Sequence, residues 1–483
     1  MRLSYLLISL ATAQLAASQE TVLGVYIFSR HGDRTAKSTP PANLTDLGYQ
    51  EVFTSGTYFR NRYVAESASR RIYGVNSDLV KQSQITASAP SDTVLQNSAQ
   101  GFLQGLYPPV GEQLGSNTLR NGTLIQSPLN GYQLIPLQAV QTGSNSENSA
   151  WLQGSTNCAN AMISSNNYFA SAEFLETSNR TESLYHKIYP DVAKTFTEEQ
   201  TSFKNAYVVW DLLNVASIHN ASVPLPDDAD FFQLKTLADQ HEFGLAFNAS
   251  EPIRAVTGSI LAAEVVTALN STIEGHGKSK VNIQFGAYGG MQSFFGLSNL
   301  TSVNPDFFGV PDYASTLTWE LVTNSTVTSS SWPSADDIYV RFLFHNGTTS
   351  NISEPVEYPL FGSKRSPLPW NDFVDGMNKF SISGQAAWCE ACGNSTGICS
   401  ADALGTDNAG STVSGSSTSS HGNGNGISKA VCGVIGAMVT LGVILGAELL
   451  IMLVGGLRLV SKKRLQHPAT NGMAEGTFGK TGA

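Results

Sequence analysis

The sequence predicts an α/β fold with a mostly parallel sheet that carries helices on both faces. Residues 22–28 form a nearly continuous apolar run rich in β-branched and aromatic side chains, which is typical of a strand buried on both faces. Residues 281–285 form a second buried strand, and the apolar-periodic segment 252–270 before it predicts a helix. Arginine and histidine side chains directly follow the first strand, and open α/β sheets bind ligands at the carboxyl ends of their strands.

Further elements follow in order along the chain. Residues 46–63 predict the first long helix, entered through Thr45 or Asp46, and residues 91–106 predict the next. The side chains of the first helix expected to face the sheet are Leu47, Val52, Phe59 and Tyr63. Residues 159–169, 172–179, 198–214 and 231–247 are helical pieces separated by loops. Residues 338–344 alternate in polarity and predict a later strand.

Size and charge exclude several functional classes. The 483 residues suffice for one large or two ordinary domains. Only 14% of residues are charged and the formal net charge is −10, with basic residues concentrated only near the C-terminus. We therefore expect no nucleic-acid partner.

The N-terminus and the sequons indicate secretion. Residues 1–18 combine a basic Arg2, a short apolar centre and small residues at the end, which is typical of a cleaved signal peptide. The alternative, a membrane anchor, is disfavoured because the apolar centre is short. N-glycosylation sequons occur throughout the segment expected outside the cell. They are at Asn43, Asn121, Asn179, Asn220, Asn248, Asn270, Asn299, Asn324, Asn346, Asn351 and Asn394.

The stretch that carries chemistry directly follows the first strand. Arg30 and Arg34 flank His31, and the planar guanidinium fork of arginine matches phosphate oxygens. Fixed positive charge beside the imidazole favours its neutral, nucleophilic form. Gly32 is expected to let the backbone approach a ligand, and Asp33 to orient the loop. The pattern predicts a histidine that accepts a phosphoryl group covalently.

The motif Arg-His-Gly-x-Arg-Thr resembles the signature of the histidine acid phosphatases, a branch of the histidine phosphatase superfamily that includes secreted acid phosphatases and phytases. Other segments resemble the family in the same order along the chain. They are residues 44–50, 98–99, 105–109 and 311–321. The resemblance implies the family's α/β core with a largely helical cap inserted at about residues 120–250. It also implies phosphomonoester hydrolysis at His31 without a cofactor, with Arg30 and Arg34 binding the substrate.

The sequence departs from the family at two site positions. The family's third phosphate-binding arginine aligns with Thr86, and the family's His-Asp pair, whose aspartate donates a proton to the leaving oxygen, aligns with Tyr288 and Gly289. Tyr288 is one substitute donor, although a phenol's ordinary pKa of about 10 suits acidic conditions poorly. Glu173, Asp211 and Glu264 are alternatives among which the sequence gives no choice.

These departures leave two hypotheses. The first is hydrolysis of a phosphorylated small molecule, weakened or specialised. The second is a degenerate phosphatase fold that binds an anionic ligand or a surface partner without turnover. No metal constellation or dinucleotide-binding pattern is present in the sequence. The remaining histidines are expected to be structural or solvated; they are His186, His219, His241, His276 and His345.

Four cysteines lie in the predicted ectodomain, residues 19–400, and are expected to form two disulfides in one of three pairings. These cysteines are Cys158, Cys389, Cys392 and Cys399, whereas Cys432 falls in the membrane segment.

The C-terminal region predicts a membrane tether. Residues 401–428 are rich in Ser, Gly, Thr and Asn and predict a flexible stalk. Residues 430–457 are long and apolar enough to span a membrane once, and the basic residues that follow place 458–483 in the cytoplasm. A removable lipid-anchor signal is the alternative, which the basic cluster disfavours. Gly442 and Gly446 have the spacing of a helix-dimer contact, although chance explains it equally well.

Overall fold

The computed structural model describes residues 20–140, 156–401 and 404. The predicted signal peptide, membrane span and cytoplasmic tail lie outside these residues, as do the proposed dimer contact at Gly442 and Gly446 and nearly all of the stalk. Within the described residues one helical stretch, Pro252–Glu274, is long and apolar enough to cross a membrane, but 67% of its apolar window is buried inside the protein.

The core of the fold is a mixed eight-stranded sheet with β1 near its centre. The strands are β1 Thr21–Arg30, β2 Ile85–Pro90, β3 Ser116–Thr118, β4 Leu124–Gln126, β5 Leu137–Val140, β6 Val281–Gly286, β7 Thr316–Thr323, β8 Ile338–His345, β9 Val356–Glu357 and β10 Leu368–Pro369. The sheet order is β10-β8-β7-β1-β6-β2-β5, with β9 paired to β8. Strands β3 and β4 form a separate hairpin.

The two halves of the sheet differ in strand direction. Strands β1, β6, β2 and β5 pair in parallel, whereas β7 is antiparallel to β1 and β8 is antiparallel to β7. Strands β9 and β10 are antiparallel to β8, so five of the eight strands run in the direction of β1. The sheet therefore consists mostly of parallel strands, as predicted, with an antiparallel edge.

Twelve helices surround the sheet in the described residues. They are α1 Asp46–Phe59, α2 Thr93–Leu106, α3 Gly111–Gly115, α4 Pro128–Gly131, α5 Ala159–Asn167, α6 Ala172–Val192, α7 Ala206–His219, α8 Asp228–Ala246, α9 Val256–Glu274, α10 Tyr288–Leu297, α11 Trp370–Asn378 and α12 Gly384–Cys392. Val25 and Ile27 of β1 share a core with α1 and α2, whereas Tyr26 and Phe28 share one with α9, α10 and α11. The helices thus cover both faces of the sheet.

Helix α1 begins after Thr45, whose side-chain oxygen accepts a hydrogen bond from the backbone N–H of Gly48. Val52 and Phe59 are fully buried, as predicted, but the expectation for Leu47 is wrong because its side chain is 39% exposed. The buried stripe of the helix starts at Gly48, and Leu47 lies one position off that stripe.

A helical cap with its own core stands between β5 and β6. Helices α5 to α8 occupy residues 159–246, and side chains such as Phe174, Tyr185 and Leu234 form a separate buried cluster. The family resemblance implies a cap insertion at about residues 120–250. The first part of that range belongs to the core and not to the cap, because strand β5 joins the main sheet beside β2. The cap is therefore shorter than the insertion that the resemblance implies.

Two disulfides connect the C-terminal part of the described chain. Cys158 pairs with Cys392, which joins the start of the cap to helix α12, and Cys389 pairs with Cys399. The expectation of two disulfides is confirmed, and the structure selects one of the three pairings.

Candidate active site

His31 directly follows β1, and its ring is fully buried. The last residue of β1, Arg30, pairs with Gly286, the last residue of β6, so the loop lies where two parallel strands end. The His31 Nδ1 is 2.7 Å from the Gly32 carbonyl oxygen. Because a carbonyl only accepts, Nδ1 carries the hydrogen, and a neutral ring then has its lone pair on Nε2. The ring is thus held in the tautomer that a phosphoryl acceptor requires.

Gly32 lies where the loop after β1 packs on helix α1. A Cβ at this position would lie 2.2 Å from the backbone oxygen of Gly48 in helix α1. The missing side chain therefore permits close packing of the loop on α1, and the expected approach of the Gly32 backbone to a ligand stays a prediction.

The guanidinium groups of Arg30 and Arg34 converge on one hydroxyl. The Tyr207 hydroxyl, on cap helix α7, is 3.4 Å from Arg30 Nη2 and 3.2 Å from Arg34 Nη2 and accepts from both. Arg30 Nη1 also donates to the Pro311 carbonyl, and Arg34 Nη1 donates to both carboxylate oxygens of Asp211 at 3.1 and 3.2 Å. We call Arg30, His31 and Arg34 the cradle; its arginines are close enough to share one acceptor.

Asp211 joins the cap to the cradle. Its side chain and that of Arg34 are both fully buried, so this ion pair is shielded from water. The backbone N–H of Lys37 donates to Asp211 at 2.8 Å, and the Tyr313 hydroxyl lies 3.5 Å from the same carboxylate. Asp211 was one of three candidate acids in the sequence, and the structure brings it into the site.

Aromatic rings and one further cation surround the cradle. The Arg30 guanidinium lies 4.6 Å from the Tyr313 ring centre and 5.0 Å from that of Tyr288. The Lys37 ammonium lies 5.3 and 5.1 Å from the ring centres of Tyr207 and Tyr288. Burial raises the pKa of the Tyr207 and Tyr313 hydroxyls, so both stay protonated at neutral pH.

Tyr288 lies beside the cradle, at the first position of helix α10 after β6. Its ring centre lies 5.0 Å from the Arg30 guanidinium. Its hydroxyl, however, donates to Glu242 of cap helix α8 at 2.8 Å, and Glu242 in turn contacts Nδ1 of His241 at 2.8 Å. The phenol is therefore engaged with the cap.

Asp33 fulfils the predicted orienting role. Its carboxylate accepts from the Thr45 hydroxyl and lies 2.6 Å from Nε2 of His219, the last residue of α7. Its backbone N–H donates to Glu51 at 2.8 Å. Burial is the largest influence on Glu51 and raises the pKa of its carboxyl group to about 7. The hydrogen bond from the Asp33 backbone N–H acts in the opposite direction and favours a lower pKa, whereas the Asp33 charge favours a higher one.

The remaining sequence candidates lie away from the cradle. Thr86 is exposed and pairs with Asn282, four residues before Gly286 at the strand end, so its assignment to the arginine position is wrong. Glu173 accepts from Gln240 within the cap, and Glu264 belongs to α9. No arginine occurs in residues 72–119 that would supply a third clamp.

Two cavities adjoin the site. The larger, about 1190 Å³, is lined by Pro311 among others, and the smaller, about 470 Å³, by Glu242 and Tyr288. Neither cavity is lined by a cradle residue. Among residues 20–140 and 156–401, no cluster of histidine, cysteine and carboxylate side chains is arranged to hold a metal ion.

Sequence reasoning missed Lys37, Tyr207 and Tyr313. Lys37 lies three residues after Arg34, so proximity in sequence was an available signal. Tyr207 precedes Asp211 by four residues, which puts both on one face of α7. Nothing in the sequence indicates that this face closes over the cradle.

Comparison with known proteins places these observations in a family. A model of the histidine phosphatase superfamily (branch 2) matches residues 41–345, beginning after the cradle loop. No curated protein sequence matches the chain.

Solved phytase structures share the fold. The Citrobacter braakii phytase has 14% identity and a TM-score of 0.53, with 77% of this chain and 99% of that chain covered. The Klebsiella sp. ASR1 phytase has 11% identity and a TM-score of 0.51, with the same coverage of 77% and 99%. The Hafnia alvei phytase in complex with myo-inositol hexakis sulphate has 13% identity and a TM-score of 0.50, again covering 77% and 99%.

Proposed function

The chain belongs to the histidine phosphatase superfamily (branch 2), and we propose that it hydrolyses phosphomonoesters through a phosphohistidine formed on His31. The observation that carries this proposal is the buried His31 ring, whose Nδ1 donates to Gly32 at the carboxyl end of β1, between two arginines. A phytase of the same fold binds an inositol hexakis sulphate, which supports an oxyanion ligand here.

To bind the phosphoryl group, Arg30 and Arg34 would give up hydrogen bonds to the protein and donate to phosphate oxygens. Phosphate oxygens would replace the Tyr207 hydroxyl between Arg30 and Arg34, since both guanidinium groups already point at that oxygen. Arg30 Nε is buried with no hydrogen-bond partner among the described residues, which leaves one more donor for an anion. His31 Nε2 would then attack phosphorus as the ester oxygen leaves, and water would hydrolyse the phosphohistidine.

Two features predict slow turnover. A missing charge clamp costs roughly 10² to 10³-fold in rate by analogy with an oxyanion donor. Tyr288, at the proton-donor position, would have to turn its hydroxyl from Glu242 toward the leaving oxygen to serve as the donor.

The internal partners of the cradle favour a second candidate function. Both arginines are already bonded within the protein, to Pro311, Tyr207 and Asp211. A protein in which these bonds persist would bind an anionic ligand or a surface partner without turnover.

We further propose that this ectodomain is a glycoprotein tethered by the 430–457 span, on the lumenal or extracellular side. The disulfides of the described residues support an oxidising compartment. The sequons and the apolar C-terminal stretch are the remaining support.

The test is hydrolysis of p-nitrophenyl phosphate from acidic to neutral pH by the full-length chain and by His31→Ala. We expect activity that the substitution abolishes, whereas His186→Ala, which changes an exposed cap histidine, should leave it intact. Absence of activity, with phosphate still raising the melting temperature, would support the binding function. Activity that survives His31→Ala would contradict the phosphohistidine.

A further inference from the structure

Asp211 is the carboxylate that the fold brings directly to the cradle. It lies on cap helix α7, is fully buried, and contacts Arg34 through two hydrogen bonds of 3.1 and 3.2 Å. Arg34 and Arg30 share the hydroxyl of Tyr207, one helical turn before Asp211. A phosphoryl group seated between the arginines would therefore meet the Asp211 carboxylate.

The other acids are less suitably placed. Glu242 is separated from Arg30 by the Tyr288 ring to which it is bonded. Glu173 bonds Gln240 inside the cap. Asp33 is held by Thr45 and His219. Asp211, by contrast, accepts two hydrogen bonds directly from a cradle arginine, Arg34.

We propose that Asp211 is the proton donor that replaces the family's missing aspartate. The proposal rests on the phosphohistidine function proposed above. In the first step the His31 Nε2–phosphorus bond forms, the phosphorus–ester oxygen bond breaks, and the Asp211 proton passes to that oxygen, releasing the alcohol. In the second step Asp211, now a carboxylate, takes a proton from the attacking water. The phosphorus–Nε2 bond breaks, and phosphate and neutral His31 are restored.

The proposed step needs Asp211 to enter as the neutral acid and to reach the leaving oxygen. A phosphate ester bound between the arginines would take up Arg34 hydrogen bonds that Asp211 now accepts, which frees the Asp211 carboxyl group to turn toward that oxygen. Four groups face the Asp211 carboxyl group. The loop after β1 supplies the Arg34 guanidinium and the backbone N–H of Lys37. Tyr207 comes from the same helix as Asp211, and Tyr313 comes from the segment before β7. The activity should accordingly decline as pH rises.

The test compares leaving groups in the full-length chain and in Asp211→Asn, which keeps the shape of the side chain. An alkyl phosphate needs a proton on its leaving oxygen, whereas 2,4-dinitrophenyl phosphate does not. We expect kcat/KM to fall by about 10²-fold or more for the alkyl ester and by only a few-fold for the dinitrophenyl ester. The decline of activity with rising pH should disappear for the variant. Asp211→Glu should recover part of the alkyl-ester activity, and Glu173→Gln, an exposed cap substitution, is the matched control.

Three outcomes would overturn the proposal. An equal loss with both esters would mean that Asp211 only holds Arg34 in place. A gain with both esters would mean that the carboxylate only competes with phosphate for Arg34. Unchanged kinetics in Asp211→Asn, with His31→Ala inactive, would leave the phosphohistidine intact and assign the proton elsewhere. If His31→Ala itself retains activity, the proposed function fails before the role of Asp211 is reached.

Discussion

Glu51 is a partly buried glutamate and Glu320 a fully buried one, and their environments move their pKa values in opposite directions. Burial raises the pKa of Glu51 to about 7. Burial would also raise the pKa of Glu320, but the charges of Arg62 and Arg70 and hydrogen bonds that include one from Arg341 outweigh it and lower the pKa. The ion-pair cluster at Glu320 is therefore stabilising at neutral pH, whereas ionised Glu51 is destabilising.

The first prediction concerns Glu51→Gln. The pKa of Glu51 is about 7 in the folded protein and near its ordinary value of 4.5 in the unfolded chain. Between these values the folded state binds more protons, so Glu51 costs stability as pH rises through the window. Glutamine keeps the acceptor for the Asp33 N–H and removes the charge. The melting temperature of the variant, relative to the wild type, should rise by about 2 °C or more from pH 5 to pH 8.

Glu112→Gln is the matched control, because Glu112 is exposed in helix α3. Its melting temperature should follow that of the wild type across the same pH range. A Glu51→Gln difference that is the same at pH 5 and pH 8 would contradict the raised pKa.

At the scale of elements, the end of β6 and the start of α10 are where the site departs from its family. Gly289 is the second residue of α10, and a Cβ built there has no heavy atom within 4 Å. The helix N-terminus favours a carboxylate at such a position. The space that the family's aspartate would need is therefore still present.

The second prediction is that Gly289→Asp restores a proton donor. In the Asp211→Asn background we expect it to raise kcat/KM for an alkyl phosphate by roughly 10-fold or more, as general acid catalysis returns in part. Gly289→Asn has the same shape without an acidic proton and should leave the rate unchanged. An equal effect of Asp and Asn would show that packing, not proton transfer, changed the rate. The kinetics are measured with alkyl and dinitrophenyl esters side by side.

The elements near β1 were predictable because their signals are local. The apolar run, the arginines and His31 are contiguous, so the strand and half of the site follow from one stretch. The contribution of α7 was not predictable, since Tyr207 and Asp211 lie more than 170 residues from the arginines they contact. The packing of Gly32 against Gly48 was not predictable either, because Gly48 belongs to another element, helix α1.

At the scale of the whole molecule, the candidate site depends on how the cap is held against the sheet. The cradle consists of the last residue of β1 and the loop that follows it, whereas Tyr207 and Asp211 come from the cap. The Asp33 contact with His219 is a further link between the two parts. Cap and core are also joined covalently, because the disulfide Cys158–Cys392 ties the start of α5 to the end of α12.

The third prediction compares the two disulfides. Cys158–Cys392 spans a sequence separation of 234, whereas Cys389–Cys399 spans 10. Loop-closure entropy makes the longer cross-link worth about 5 kcal/mol and the shorter about 3 kcal/mol. We therefore expect the double variant Cys158→Ser, Cys392→Ser to have a lower melting temperature, under non-reducing conditions, than the double variant Cys389→Ser, Cys399→Ser.

The same pair of variants tests whether the cross-link also positions the cap. Loss of Cys158–Cys392 frees the start of α5, so phosphate should raise the melting temperature less in that variant than in Cys389→Ser, Cys399→Ser. Both variants keep Arg30, His31 and Arg34. A smaller phosphate-induced rise in melting temperature would therefore come from a displaced cap and not from loss of the arginines. Equal phosphate-induced shifts would mean that packing of the cap on the core, with the Arg34–Asp211 pair, is sufficient to form the site.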